Sequence, residues 1–150
     1  MTFHLASKIT AVLMGAAMLA PVCATAAEEL TTSAIMPLKD ATAEKGDGWV
    51  FYSYFTGDTV GTEQSLTGLA VIQPGKEIHP PHVHPEEEYL MVTQGNGVWT
   101  VNGKDTPAST GDMLYASPWE SHGIKNTGDI PLKFVVMKWH SKGKPLPEKP

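Results

Sequence analysis

Short apolar runs separated by turn residues dominate the chain from Trp49 onwards. The runs are rich in β-branched and aromatic residues and recur about every ten residues, whereas no helix-length segment there has the 3.6-residue period of an amphipathic helix. This pattern predicts an all-β fold, either a sandwich or a closed barrel. The expected strands are Trp49–Phe55, Gln64–Gln73, Tyr89–Gln94, Val98–Asn102, Met113–Ala116, Gly123–Asn126 and Leu132–Trp139.

Two glycine-containing segments between these runs predict tight turns. Gly95-Asn96-Gly97 separates two expected strands and is typical of a hairpin. Asn102-Gly103 is the residue pair that a type I′ turn favours, because both of its central residues need a positive φ.

The first 26 residues have the pattern of a secretory signal peptide. Lys8 supplies a positive start, 9–20 is an almost unbroken apolar run, and Ala24-Thr25-Ala26 is a small-x-small cleavage site. The apolar run is too short to span a hydrocarbon core of about 30 Å. We therefore expect cleavage after Ala26, a secreted or periplasmic protein, and no stable membrane anchor.

The remainder divides into three segments. Residues 27–47 are polar and mixed, and we interpret them as an N-terminal arm. Residues 48–140 form the expected β-barrel domain. Residues 141–150 contain three prolines and three lysines and little to bury, so we expect a mobile tail, with His140 solvated just before it.

Charge and cysteine content exclude several classes of function. The net charge is −5 and no basic stripe occurs, which argues against a nucleic-acid partner. The chain contains no arginine, so a bidentate guanidinium clamp for a carboxylate or phosphate cannot be built. The only cysteine, Cys23, lies in the segment expected to be removed, which leaves the mature protein without thiol chemistry.

Four metal-ligand residues lie at strand positions that favour convergence. His82 and His84 are two residues apart and therefore point to the same face of an extended segment. Glu88 shares its parity with Leu90 and Val92, and a carboxylate on such an apolar face is costly to bury unless a cation pairs with it.

His122 shows the same feature on a later run, where it shares a face with Ile124 and Asn126. Three imidazoles and one carboxylate form a shell that suits one divalent ion of iron, manganese, zinc, nickel or copper. Glu86 and Glu87 remain alternatives to Glu88 if the register of the strand differs by a residue or two.

The spacing of these residues resembles that of a known family. The segment 75–95 is similar to the first cupin motif, Gly-x5-His-x-His-x3-4-Glu-x6-Gly, and 111–126 is similar to the second, Gly-x5-Pro-x-Gly-x2-His-x3-Asn. The resemblance implies a conical jelly-roll barrel (a double-stranded β-helix) that binds a metal through His82, His84, Glu88 and His122. In three places the chain departs from the motifs: one extra residue follows Gly75, and Ser117 and Trp119 replace the second motif's proline and glycine.

The resemblance implies a metal-dependent enzyme of the oxygenase or lyase type, with Glu88 or His79 as proton carrier. The missing arginine argues against oxalate-type decarboxylases and phosphosugar isomerases, and so favours a small neutral or aromatic substrate. Tyr115 and Trp119 are candidates for the substrate pocket, although packing is the alternative use of both. His79 has the alternative of being an ordinary loop residue.

Two other functions stay open, namely a non-catalytic protein that binds metal or a small ligand, and a structural module that the metal stabilises. We also expect a homodimer, because Leu132–Trp139 is apolar on both faces and needs burial on both sides.

Overall fold

The computed structural model of the protein describes residues 29–150. The expected signal peptide, with Cys23, lies outside the described residues. Residues 29–150 include no helix that is long and apolar enough to cross a membrane. They contain a short 3₁₀ turn, Leu38–Asp40, and nine strands. The strands are β1 (Thr42–Gly46), β2 (Trp49–Gly57), β3 (Thr62–Ile72), β4 (Glu87–Gln94), β5 (Asn96–Val101), β6 (Lys104–Ser109), β7 (Met113–Ala116), β8 (His122–Asn126) and β9 (Leu132–Ser141).

The strands form two antiparallel sheets. One has six strands in the order β1-β2-β3-β9-β4-β7, and the other has three in the order β6-β5-β8. Inward residues of both sheets form a single core cluster, with Phe134 and Val92 from the large sheet and Trp99 and Ile124 from the small one. This architecture confirms the predicted all-β jelly-roll fold.

Alternation along the strands decides which residues form the core. On β4 the buried residues are Glu88, Leu90 and Val92, and on β8 they are His122, Ile124 and Asn126. Both sets match the predicted parity. Each strand therefore carries its ligand-type residue on the same face as its core residues.

The two predicted turns have different outcomes. Asn102 (φ 48°) and Gly103 (φ 75°) connect the paired residues Val101 and Lys104, so the predicted type I′ turn is confirmed. The hairpin prediction at Gly95 is wrong, because β4 pairs with β7 and β9 while β5 pairs with β6 and β8.

At Gly95 the chain instead passes from one sheet to the other. This residue has φ 82°, and a Cβ added there would lie 2.9 Å from the Pro131 carbonyl oxygen. Glycine is needed both for the backbone conformation and for the close approach of the two segments.

Both ends of the domain differ in detail from the sequence-based interpretation. β1 lies within the segment interpreted as an arm, and it extends the large sheet by pairing with β2. The C-terminal segment, expected to be mobile, contacts the barrel where the Trp119 indole nitrogen donates to the Pro147 carbonyl oxygen (2.8 Å). His140 is 9% exposed rather than solvated, and its Nε2 donates to the Lys144 carbonyl oxygen (2.6 Å).

Candidate metal centre

An isolated β-bridge brings the histidines of two separate segments together. His82 precedes β4 and pairs with His122, the first residue of β8, through two backbone N–H···O bonds of 3.0 Å. His84 follows in the same extended segment, and Glu88 is the second residue of β4. The four side chains therefore converge from the two sheets.

The geometry of the cluster is compact. The potential ligand nitrogens of His82, His84 and His122 lie within 4.8 Å of one another. Glu88 contacts two of the rings, with Oε2 3.3 Å from His84 Nε2 and Oε1 3.3 Å from His122 Nε2. His122, Glu88 and His84 are only 2%, 7% and 9% exposed.

Unpartnered nitrogens make this cluster suitable for a cation. His82 Nδ1, His84 Nε2 and His122 Nε2 are buried and have no hydrogen-bond partner among the described residues, since the 3.3 Å approaches to Glu88 lack hydrogen-bond geometry. A buried polar atom without a partner costs about 1–3 kcal/mol. The three histidines are positioned to bind a metal ion, and an ion would satisfy the free nitrogens.

The outer nitrogens of two rings are held by backbone carbonyls. His84 Nδ1 lies 3.1 Å from the Glu86 carbonyl oxygen, and His122 Nδ1 lies 2.8 Å from the Glu120 carbonyl oxygen. A ring that donates from Nδ1 leaves the lone pair of Nε2 free to bind a metal. This arrangement orients both rings for ligation before any ion binds.

The structure distinguishes the three consecutive glutamates. Glu88 contacts the rings, whereas the Glu86 carboxylate is buried on the other side of His84, with Oε2 3.2 Å from Nδ1. Glu87 lies on the outer face of the sheet, where its carboxylate accepts a hydrogen bond from the Tyr115 hydroxyl (3.1 Å). Of the three, Glu88 alone contacts both His84 and His122.

The pKa values in the cluster reflect burial and mutual contacts. Burial, with the neighbouring His79, His122 and His84, lowers the pKa of His82 to about 4. Burial alone would raise the pKa of Glu88, but the adjacent His122 and His84 rings outweigh it and lower that pKa to about 2. Burial opposes charge on His122 too, yet Glu88 and the Glu120 carbonyl raise its pKa above the usual value. At neutral pH, Glu88 is ionised and His82 is neutral, as metal ligation requires.

A cavity of about 420 Å³ adjoins the cluster, a volume within the range of small-molecule sites. His82, Glu88 and His122 line it, together with His79, whose ring centroid lies 4.1 Å from that of His82. Most of its remaining wall is apolar and includes Trp49, Phe51, Leu66, Ile72, Ile78 and Phe134.

Tyr115 and Trp119, the two predicted pocket residues, do not line this cavity. Tyr115 is 45% exposed and belongs to the outer face of the large sheet, because an outward position on β7 follows from its pairing with Tyr89. The Trp119 ring is held away from the cluster by its hydrogen bond to Pro147.

The backbone of Trp119, which replaces the motif glycine, lies in the left-handed region that favours glycine. Its φ is 66°, and its N–H donates to the His84 carbonyl oxygen (2.8 Å). This contact connects the turn before β8 to the His84 segment, and the positive φ is strained for a residue other than glycine.

Two charged residues that line the cavity, Lys138 and Glu44, were missed by the sequence analysis. Lys138 follows Leu132, Phe134 and Val136 at alternate positions of β9, so parity alone would have placed it inside the barrel. No comparable signal marks Glu44, which lies on the fully exposed strand β1.

Comparison with known proteins agrees with this geometry. Residues 68–138 match the family model described as "Cupin domain". Solved structures with the same fold include a predicted oxalate decarboxylase from Thermotoga maritima (TM-score 0.61, 23% identity, covering 71% of this chain and 99% of that one). An RmlC-like cupin from Shewanella frigidimarina also matches (TM-score 0.61, 15% identity, 75% and 95% coverage). These matches identify residues 68–138 as a cupin domain.

Two curated relatives match part of the chain. An oxalate-binding protein from Thermotoga maritima is 28% identical over 107 residues, covering 71% of this chain and 88% of that protein. A gentisate 1,2-dioxygenase from a Streptomyces species is 30% identical over 82 residues, but the match covers 54% of this chain and only 23% of the dioxygenase.

Proposed function

We propose that this protein is a metal-dependent enzyme of the oxygenase or lyase type that acts on a small molecule with an apolar or aromatic body. In this proposal His82, His84, Glu88 and His122 hold one divalent ion. The supporting observation is a set of buried, unpartnered imidazole nitrogens that faces a cavity of about 420 Å³. A metal with a purely structural role would not require an adjoining cavity.

The donor set of three nitrogens and one carboxylate suits iron(II), manganese(II), zinc, nickel or copper(II). When bound, such an ion supplies Lewis-acid or redox chemistry. The apolar wall excludes water and holds the body of the substrate. Glu88 and His79 are the proposed proton carriers, because both line the cavity at the histidine cluster.

Metal analysis combined with a turnover assay tests this proposal. The natively purified protein should contain about one transition metal per chain by mass spectrometry. Loaded with iron or manganese, it should consume dioxygen or yield product with a phenol or a diketone. Absence of metal from the native protein, together with failure to take up any of the five ions, would contradict the metal site itself.

The second candidate is a non-catalytic binding protein. It is supported by the relative named an oxalate-binding protein, which the match covers over 88% of its length. Saturable ligand binding by the metal-loaded protein, without dioxygen uptake or product under any metal, would favour this function over an enzyme.

We also propose that the mature protein is secreted or periplasmic and begins after Ala26. Intact-mass measurement of protein from the extracellular or periplasmic fraction tests both points. A mass that retains the first 26 residues would contradict cleavage.

A homodimer is proposed as the assembly. The outward residues Val135, Met137 and Trp139 of the central strand β9 are only partly buried, and Trp139 stacks on Tyr89 at 5.6 Å between ring centroids. A second copy would cover this apolar surface. Light scattering at micromolar concentration should give twice the mass of the mature chain, and a monomer would contradict this assembly.

A further inference from the structure

Lys138 interrupts the apolar pattern on the inner face of β9. Leu132, Phe134 and Val136 precede it at alternate positions, and all three are buried. Lys138 continues this face and lines the cavity beside Glu88. Because an ammonium group loses hydration at such a position, an aliphatic residue would pack there at lower cost. Packing alone therefore does not explain a lysine.

No partner in the described part of the chain neutralises this lysine by direct contact. Among residues 29–150, no carboxylate oxygen lies within 4.0 Å of its Nζ. Its cross-strand neighbours on β9's two sides are Glu88 and Leu66. The oxygens of Glu88 are directed to two histidine rings, and Leu66 is apolar, so the ammonium remains available to a ligand.

The charges around the cavity add up to one positive charge. A divalent ion, the Glu88 carboxylate and the Lys138 ammonium together carry two positive charges. Glu44, the other carboxylate on the wall, is exposed and compensates one of them. Among the described residues that line the cavity, Lys138 is the single lysine, and arginine is absent from the whole chain. The cavity thus favours a ligand with one negative charge.

We propose that Lys138 recognises an anionic group, and that the ligand of this cavity is a small monocarboxylate with an apolar or aromatic body. A lysine ammonium acts as a point charge and does not need the forked geometry that the missing arginine would supply. Trp49, Phe51 and Phe134 provide the apolar wall for the rest of the molecule. This inference rests on the proposed function and narrows its substrate from neutral or aromatic molecules to carboxylates.

Titration calorimetry with benzoate and its neutral analogue benzamide tests the inference. The mature protein is compared with Lys138→Met, which keeps the side-chain length but removes the charge, and with Lys138→Arg, which keeps the charge. Lys133→Met is the matched control, because Lys133 lies on the outer face of the same strand. Metal content and thermal midpoint are measured for every variant, and each titration is done on zinc-loaded and metal-free protein.

The expected result is that benzoate binds the parent more tightly than benzamide does. Lys138→Met should weaken benzoate binding by about 10- to 100-fold, the loss expected for a hydrogen bond to a charged group. Benzamide binding should be unchanged, Lys138→Arg should retain benzoate affinity within about tenfold of the parent, and Lys133→Met should behave as the parent. Benzoate should bind the metal-free protein more weakly, because loss of the ion leaves Glu44, Glu88 and Lys138 with a net negative charge, but the loss of affinity on Lys138→Met should persist there.

Two results would overturn the inference: equal affinities of the folded parent for benzoate and benzamide, or unchanged benzoate affinity in Lys138→Met. If either occurs while every variant holds one zinc per chain, the metal proposal stands and only the assignment of Lys138 fails. If the parent binds no zinc but still shows benzoate binding that depends on Lys138, the metal proposal fails and the assignment stands.

Discussion

Strand β8 has a buried polar side chain at each end, and the two side chains differ in how far their hydrogen bonds are satisfied. Asn126 is 0% exposed, and its amide nitrogen donates to the carbonyl oxygens of Ile72 (2.8 Å) and Ile130 (2.9 Å). Its Oδ1 accepts a hydrogen bond from the Gly128 N–H (2.9 Å). His122, four residues earlier on the same face, is 2% exposed and leaves Nε2 without a partner.

This difference in hydrogen bonding distinguishes a polar group that stabilises the fold from one that is placed to bind a ligand. A buried polar group that stabilises the fold has its hydrogen bonds complete. A group that binds a ligand has one polar atom without a partner in the ligand-free protein, and this buried atom is destabilising until the ligand binds. The satisfied amide of Asn126 connects the loop before β9 to the end of β3, whereas the free nitrogens at the histidine end would be satisfied by the proposed cation.

The largest expected effect comes from removing ligands at the histidine end. The double variant His84→Ala, His122→Ala should lose stoichiometric metal, because two of the four donors disappear. Zinc should stabilise the parent by about 4 kcal/mol at a free concentration 1,000 times its dissociation constant, and it should not stabilise the variant. Metal analysis and thermal unfolding with and without zinc measure both effects.

His140→Ala is the matched control, because His140 is buried to the same extent as His84 but lies outside the cluster. This variant should lose stability and keep one metal per chain. If the double variant binds zinc as tightly as the parent, the free nitrogens do not form the site.

The next effect is at the asparagine end. Asn126→Ala should lower the free energy of unfolding of the metal-free protein by about 2–4 kcal/mol, because one buried carbonyl, one partly buried carbonyl and one partly buried N–H lose their partner. Metal content should be unchanged. Urea unfolding measures the loss, and Thr93→Ala, which removes an exposed side-chain hydrogen bond to Lys133, provides a control with a much smaller effect.

If Asn126→Ala instead abolished metal binding and left stability intact, the two ends of β8 would have their roles exchanged. The contrast between a structural and a functional buried polar group would then fail.

Much of this contrast was predictable from the sequence, because period-two alternation is a local property. The shared face of Glu88, Leu90 and Val92 follows directly from their spacing, as does the shared face of His122 and Asn126. The alternation of side chains along a strand predicts which of them face inward. It does not state which of them will be hydrogen-bonded, since the partners of Asn126 are backbone carbonyls distant in sequence.

Features that depend on tertiary pairing were not predictable in this way. β1 and β6 are polar and almost entirely exposed, so they carry no apolar pattern and form strands because a neighbouring strand pairs with them. The passage between sheets at Gly95 has a local hairpin signature, but the partners of each strand are chosen by packing across the core. The docking of Trp119 on Pro147 likewise joins segments that no local pattern connects.

A smaller effect on metal affinity should come from removing the charge of the Glu86 carboxylate, which contacts His84 at Nδ1, the ring nitrogen that faces away from the cluster. Glu86→Gln removes the charge 3.2 Å from His84 Nδ1 but keeps the backbone carbonyl that also contacts this nitrogen. We expect metal affinity to fall about tenfold, the lower end of the range for such supporting groups. Zinc competition against a chelator measures the change.

Glu87→Gln is the control for this variant, because the neighbouring Glu87 lies on the outer face against Tyr115. It should leave zinc affinity unchanged. A greater loss in Glu87→Gln than in Glu86→Gln would mean that the register of β4 differs from the one described and that the cluster is assembled from other side chains.

The last expected effect is on pH dependence, and it also distinguishes the two ends of β8. The pKa of His122 is raised above its ordinary value of 6.5. The metal-free ring therefore holds its proton more tightly, and a metal must displace this proton. Charging His122 in the folded state stabilises the metal-free protein at pH values below 6.5, and this contribution is lost as pH rises through the folded pKa. His82 has the opposite effect on stability, because its folded-state pKa is lowered to about 4. The unfolded chain binds a proton at this residue more readily than the folded protein does, so stability is lost as pH falls from 6.5 towards 4. Glu88, with a pKa of about 2, stays ionised throughout this range. Zinc affinity should therefore fall as pH drops through the folded pKa of His122, which lies above 6.5, by about tenfold per pH unit for each ring that must lose a proton. Asn126 does not titrate, so the fold should persist while the metal leaves.

Calorimetry in two buffers of different ionisation enthalpy should detect the released proton, and circular dichroism should stay constant. Zinc affinity that does not change across this range would show that the bound ion does not compete with protons for His122, and unfolding in step with metal loss would show that the two ends of β8 are not independent.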